Sequence, residues 1–187
     1  MRILIADDES LIRMGLRRIL EEAGHQVVAA APDGRTAVRM AHDLEPELAI
    51  LDIKMPGFDG MEAARRIVTE RPIPVILLTA YGQRDLVEQA TRAPVMAYLV
   101  KPVNEAELLA TIEIAATRFA ERQKMAQETA DLREGLDNRK IVERAKGLLM
   151  ARHGVSEEDA HRRIQAQARR ERRSMREVAQ EILDREG

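Results

Sequence analysis

The sequence contains no cysteine, which excludes disulfides and thiolate-ligated zinc and fits a cytoplasmic setting best. No apolar run approaches the roughly 20 residues needed to span a bilayer, so no membrane role is expected. The opening MRILIADDES has a short apolar run followed by acids and does not read as a signal peptide. The four histidines, His25, His42, His153 and His161, lack metal-ligand spacing. Residues 137–187 contain no Phe, Tyr or Trp, so the aromatic stacking platforms used by many single-strand RNA binders are missing there. Between Asn104 and Gly135 neither Gly nor Pro occurs.

What is present is ordinary for a folded, helix-rich chain. Of the 187 residues, 45% are hydrophobic and 33% charged. That length holds one full domain of about 100–150 residues and a smaller one. The net charge of −2 hides an asymmetry. Residues 1–120 carry 14 Lys/Arg against 18 Asp/Glu, whereas residues 137–187 carry 13 against 10. An acidic front and a basic tail imply different partners for the two ends.

The front alternates short apolar runs with amphipathic stretches. Arg2–Ala6, Gln26–Ala30, Leu48–Leu51, Pro74–Leu78 and Ala97–Val100 read as strands buried on both faces. Helical patterns follow Ser10 (the expected N-cap, with a stop at Gly24), then cover Gly34–Leu44, Asp59–Glu70 and Gln83–Thr91, and a fifth starts at Asn104. Five β-α units predict an α/β domain, a doubly wound parallel sheet with helices on both faces. Ligands of such sheets bind at the carboxyl ends of the strands.

Residues 104–136 are rich in Ala, Glu, Arg and Gln and predict one long helix. Ile112, Phe119, Ala126, Leu132 and Leu136 trace a seven-residue seam, interrupted by Arg118, Arg122 and Gln123, which suits a short coiled coil or a plain surface helix. The tail then predicts three short helices. The first carries Ile141, Val142, Ala145, Leu148 and Leu149 and stops at Gly154; Ser156 and Ser174 cap the other two.

Four pieces of the front fall at strand ends: Asp7 and Asp8, Asp52, Thr79, and Lys101. In a sheet ordered 2-1-3-4-5 those ends are neighbours. Each residue alone has a plainer explanation, since Asp at a strand end is usually a turn former. Together, in this order, they describe a site. Packed carboxylates repel, and a hard divalent ion such as Mg²⁺ relieves the conflict. A carboxylate is also a competent nucleophile toward phosphorus, and a metal and a lysine neutralise the transferring oxygens.

Asp7-Asp8, Leu51–Gly60 (LDIKMPGFDG), Thr79-Ala80 and Tyr98–Pro102 (YLVKP) closely resemble response-regulator receivers, over residues 1–118. The resemblance implies that Asp52 is phosphorylated by a sensor histidine kinase. It implies Mg²⁺ held by Asp8, Asp52 and the Lys54 backbone carbonyl, with Asp7 in the outer shell. Thr79 and Lys101 would contact the phosphoryl oxygens, Tyr98 would swing inward on activation, and the Lys101–Pro102 bond would be cis. Two departures stand out. Lys54 sits where Asn is common, which bears on phosphoryl lifetime, and Thr91–Met96 (TRAPVM) replaces the usual glycine turn.

From charge alone the tail reads as a DNA-binding, RNA-binding or protein-docking unit, or simply as a solvated basic surface. Ile141–Leu183 resembles the ANTAR domain, a three-helix RNA-binding module of transcription antiterminators. The AKGLLM run (Ala145–Met150), the spacing of Gly154, Ser156 and Ala160, and Val178–Ile182 carry the match. His161 stands where the family commonly has an aromatic, and Gln167 is also unusual. The resemblance implies a homodimer when phosphorylated that binds RNA hairpins in nascent transcripts, with Ala145, Lys146, Gly147, Met150 and Arg152 as candidate RNA-face residues.

The expected organisation is therefore a flavodoxin-like receiver at 1–118, a helical linker at 119–136 and an ANTAR domain at 137–187. The expected function is phosphorylation-controlled antitermination. The competing readings are a DNA-binding response regulator and a phosphorelay or docking protein whose tail binds only protein. Beyond phosphoryl acceptance and slow self-hydrolysis at Asp52, no catalytic constellation is evident.

Overall fold

The computed structural model describes residues 1–80 and 95–186. The expected helix Gln83–Thr91 and most of the TRAPVM segment lie outside the described residues. Five strands, β1 (Arg2–Ala6), β2 (Gln26–Ala31), β3 (Leu48–Asp52), β4 (Val75–Thr79) and β5 (Ala97–Val100), form one sheet in the order β2-β1-β3-β4-β5. All four pairings are parallel. Strands β3 and β4 are buried along their whole length, as their continuous apolar sequences require.

Alternate strand residues feed two cores. Leu4, Ala6, Ala49, Leu51 and Leu77 pack against α2 (Gly34–Leu44) and α3 (Gly60–Glu70) through Ala37, Ala41, Ala63, Ala64 and Ile67. Ile3, Ile5, Leu48, Ile50 and Ile76 pack against α1 (Ser10–Glu22) and the start of α4 (Glu105–His153), through Leu16, Leu20, Leu108, Ile112 and Ala115. Fully burying one such Leu or Ile contributes roughly 1.5–3 kcal/mol, so the two layers fix the sheet firmly between them.

Two local expectations are corrected. Ser10 is the first residue of α1 and Glu9 occupies the cap position without a side-chain cap bond. The reason is local: Asp7 Oδ1 already accepts from the Glu9 N–H at 2.9 Å, so the turn before α1 is made by the aspartate. Ile112 opens no intermolecular seam, because it is fully buried in the receiver core. Farther along α4, Met125, Leu132, Leu136 and Met150 are exposed large apolar residues.

The chain divides into two units, Met1–Gln123 and Lys124–Gly187. The helical run begun at Glu105 continues past Gly135 to His153. A mid-helix glycine costs only about 1 kcal/mol relative to alanine, which the strong helix formers on both sides offset. The second unit packs the end of α4 with α5 (Glu157–Glu171) and α6 (Met175–Glu186) around Ala145, Leu149, Ala160, Ile164, Ala168, Val178 and Ala179. Ser156 caps α5, accepting from the Asp159 N–H at 3.1 Å. At α6 a full capping box forms: Ser174 Oγ accepts from the Glu177 N–H, and Glu177 Oε2 accepts from the Ser174 N–H.

Candidate functional site

The sheet order brings the carboxyl ends of β1, β3, β4 and β5 side by side, and the sequence places its chemistry there. Oxygen atoms of Asp7, Asp8 and Asp52 lie within 4.8 Å of one another. Asp7 is fully buried, Asp52 nearly so, and Asp8 faces solvent. Lys101 Nζ donates to Asp7 Oδ2 at 2.6 Å and lies 2.9 Å from Asp52 Oδ1. Thr79, the last residue of β4, is buried beside them, and its carbonyl accepts from the Lys101 N–H at 2.8 Å. The Lys101–Pro102 bond is cis.

Three carboxylates face one ammonium, and the electrostatics follow. Burial pushes the Asp52 carboxyl above the usual carboxylate range; hydrogen bonding from Lys101 opposes this without reversing it, and the Asp7 and Asp8 charges add to the rise. Burial also pulls the Lys101 ammonium down, but its hydrogen bonds to Asp7 and Asp52 outweigh that and hold it above its ordinary value. The site is short of positive charge. Its all-oxygen donor set, with one carboxylate open to water, is what a hard divalent cation prefers.

The surrounding backbone is fixed by residues that the motif alone does not single out. Arg13 Nη1 donates to the carbonyls of Asp7 and Asp8 at 2.6 and 3.1 Å, holding the β1–α1 turn. Gly60 begins α3 directly beneath the phosphoacceptor candidate: an added Cβ would stand 2.1 Å from the Asp52 carbonyl oxygen. Gly57 takes φ 80°, open to glycine without strain, in the loop that carries Lys54. Arg66 and Arg35 lie against the Phe58 ring at 4.0 and 4.9 Å from its centroid and hold the far end of that loop. Lys54 itself is exposed. Tyr98 is half-buried on β5, and its hydroxyl, though buried, has no hydrogen-bond partner among the described residues. Desolvation raises its pKa.

The five tail candidates separate by position. Gly147, Met150 and Arg152 are exposed. Ala145 is fully buried in the helical core. Lys146 is covered, its Nζ bridging Glu143 Oε1 at 2.7 Å and Glu157 Oε1 at 2.8 Å, which ties α4 to the start of α5. Arg139, Lys140 and Arg144 are exposed on the same helix.

Comparison with known proteins agrees with this division. The response regulator receiver domain family matches residues 3–113, and the ANTAR domain family matches residues 130–183. The transcriptional regulatory protein PdtaR of Mycobacterium tuberculosis is 48% identical over 183 residues, covering 98% of this chain and 89% of the relative. The transcriptional regulatory protein YesN of Bacillus subtilis is 30% identical over 140 residues, covering 73% of this chain and 38% of its own. Among solved structures, the signal receiver domain of a modulated diguanylate cyclase from Desulfovibrio desulfuricans superposes with a TM-score of 0.60 at 34% identity, covering 65% of this chain and 97% of that one. The receiver domain of the response regulator NarL from Mycobacterium tuberculosis gives 0.58 at 31%, covering 62% and 95%. With the acidic pocket at the sheet's carboxyl edge, the three-helix tail and both family matches in place, this chain belongs to the two-component response regulators, its receiver domain followed by an ANTAR domain.

Proposed function

We propose that the receiver accepts a phosphoryl group on Asp52 from a sensor histidine kinase and that this controls hairpin-RNA binding, and so transcription antitermination, by the ANTAR unit. The observation that carries the reading is the cluster of Asp7, Asp8 and Asp52 around Lys101. An Asp52 carboxylate oxygen attacks the phosphorus of the kinase's phosphohistidine, the phosphorus–nitrogen bond breaks, and the imidazole leaves. Asp8, Asp52 and the Lys54 carbonyl would hold Mg²⁺, with Asp7 behind them, and a divalent ion held there would supply charge neutralisation for the phosphoryl oxygens. Lys101 and Thr79 supply the protein's own contacts to those oxygens. Slow self-hydrolysis at Asp52 then resets the domain.

The energetics suit a switch. The phosphoryl group adds about −1.5 to −2 charge and one to three charge-assisted hydrogen bonds. At roughly 1.5–3 kcal/mol each, these approach the ~5.5 kcal/mol that inverts a 1:99 equilibrium. Thr79 and Tyr98 carry the change to the domain surface. Phosphorylated chains act as homodimers, in which two basic tails on one RNA gain avidity. Gly147, Met150 and Arg152 face the RNA directly, and Ala145 and Lys146 support that face from beneath.

Incubation with a labelled small phosphodonor and Mg²⁺ tests the receiver half. Label is expected on the wild type and not on Asp52→Asn, and chelation of Mg²⁺ is expected to abolish it. Label retained by Asp52→Asn would move the acceptor elsewhere.

A further inference from the structure

The turn between β1 and α1 carries both Asp7 and Asp8, and several bonds hold it. The Asp7 N–H donates to the Ala31 carbonyl on β2 at 3.2 Å, and Asp7 Oδ1 accepts from the Glu9 N–H at 2.9 Å. Arg13 adds a tie from the helix side: its Nη1 donates to the Asp7 carbonyl at 2.6 Å and to the Asp8 carbonyl at 3.1 Å. Asp8 is exposed, so its side chain takes its direction from the backbone rather than from packing. Arg13 is itself firmly based. It lies in the first turn of α1, where its N–H donates to the Glu9 carbonyl at 3.1 Å, and the same helix buries Leu16 and Leu20 in the core.

Arg13 acts on the acidic pocket in two opposing ways. Its guanidinium is always ionised and brings positive charge to the turn that carries two of the carboxylates. That charge disfavours divalent ions of equal charge alike. Its hydrogen bonds fix the backbone under those carboxylates, and this does not treat all ions alike. Mg²⁺ demands near-octahedral oxygens at about 2.0–2.1 Å, whereas Ca²⁺ takes roughly six to eight at about 2.3–2.6 Å in a flexible shell. Carboxylates on a rigid turn favour the more demanding ion. On a loose turn they rearrange for the larger one.

We propose that Arg13 is a positioning residue that sets the pocket's preference for Mg²⁺ over Ca²⁺, by holding the Asp7 and Asp8 backbone in place. The proposal rests on the divalent-ion reading above. It gives α1 a part in choosing the ion through the two carbonyls that Arg13 reaches.

The test is calorimetric titration of the full, unphosphorylated chain with Mg²⁺ and, separately, with Ca²⁺, in wild type, Arg13→Met and Arg13→Lys, each checked for fold by circular dichroism. Arg13→Met is expected to weaken Mg²⁺ about tenfold, equal to about 1.4 kcal/mol, and Ca²⁺ by about twofold or less. Arg13→Lys keeps the charge and a donor on a more flexible stem, and is expected to lose less of the Mg²⁺ preference. The sign is diagnostic, because removal of a nearby positive charge would by itself tighten both ions. Mg²⁺ bound more tightly by Arg13→Met, or a ratio of the two affinities unchanged from wild type, overturns the proposal and leaves the divalent-ion reading standing. If Arg13→Met does not fold, an unchanged ratio in Arg13→Lys overturns it instead. A wild type that binds neither ion, or binding unaffected by Asp8→Asn, brings down the divalent-ion reading and the proposal with it.

Discussion

Lys101 and Lys146 each bridge two carboxylates at almost the same distances, 2.6 and 2.9 Å in the receiver and 2.7 and 2.8 Å in the ANTAR unit. What differs is the exposure of their partners. The Asp7 and Asp52 side chains are 0% and 7% exposed, whereas those of Glu143 and Glu157 are 56% and 66% exposed. A carboxylate that can return to water loses little when its lysine is removed; a buried one is left charged in a poor solvent. The receiver's lysine therefore holds together a buried arrangement that is short of positive charge. The tail's lysine is a clasp between two helices. The same bond lengths thus hold a buried acidic pocket at one end of the chain and an exposed helix clasp at the other.

Lys101→Met should break the comparison most sharply. It strands two buried carboxylates and is expected to cost on the order of 3 kcal/mol in unfolding free energy without divalent ions. Mg²⁺ should return much of that loss, read as a Tm recovered on titration with the ion. Asp52→Asn should act in the opposite direction. Because the folded Asp52 pKa is raised, its ionised form opposes folding, so stability falls as pH climbs from the unfolded carboxylate value through the folded one. In Mg²⁺-free buffer at neutral pH, Asp52→Asn is expected to melt above the wild type, and the difference should vanish in acid.

Asp33 supplies the contrasting carboxylate. The Thr36 backbone N–H, then its hydroxyl, holds the Asp33 carboxyl below the usual range, and the same contact caps α2. Its contribution is present above the unfolded value and lost as pH falls through the folded one. Asp33→Ala should cost about 1 kcal/mol at neutral pH, and the gap from wild type should close on acidification through that window. Lys146→Met is the smallest effect. The exposed glutamates solvate, the methionine stem keeps the packing, and Tm should match the wild type within error with or without Mg²⁺. A large drop there would erase the distinction between the two lysines.

These contrasts also mark what the amino-acid order made legible. Asp7, Asp8, Asp52, Thr79 and Lys101 were recognisable as one cluster because each lies at or just past the carboxyl end of a strand, and in a sheet ordered 2-1-3-4-5 those ends are neighbours. Gly60 and Arg13 were not, since their roles depend on how close a backbone passes and which carbonyls a guanidinium reaches. Lys146 read as a candidate RNA-face residue; its cover comes from Glu157, eleven residues on and across a turn. Ile112 suited a heptad as well as a core face, and only the packing of α4 on the sheet decides between them. Ser10 looked like the cap of α1 until Asp7 made the turn instead.

The central claim, that the receiver gates RNA binding by the tail, is tested most directly by hairpin-RNA affinity with Mg²⁺, with and without phosphodonor, in wild type and Asp52→Asn, against duplex DNA of equal length. The account predicts that phosphodonor tightens wild-type hairpin binding about tenfold or more, equal to about 1.4 kcal/mol, that Asp52→Asn loses the gain, and that duplex DNA competes poorly. Hairpin affinity that is unchanged by phosphodonor, or no stronger than affinity for duplex DNA, would contradict it.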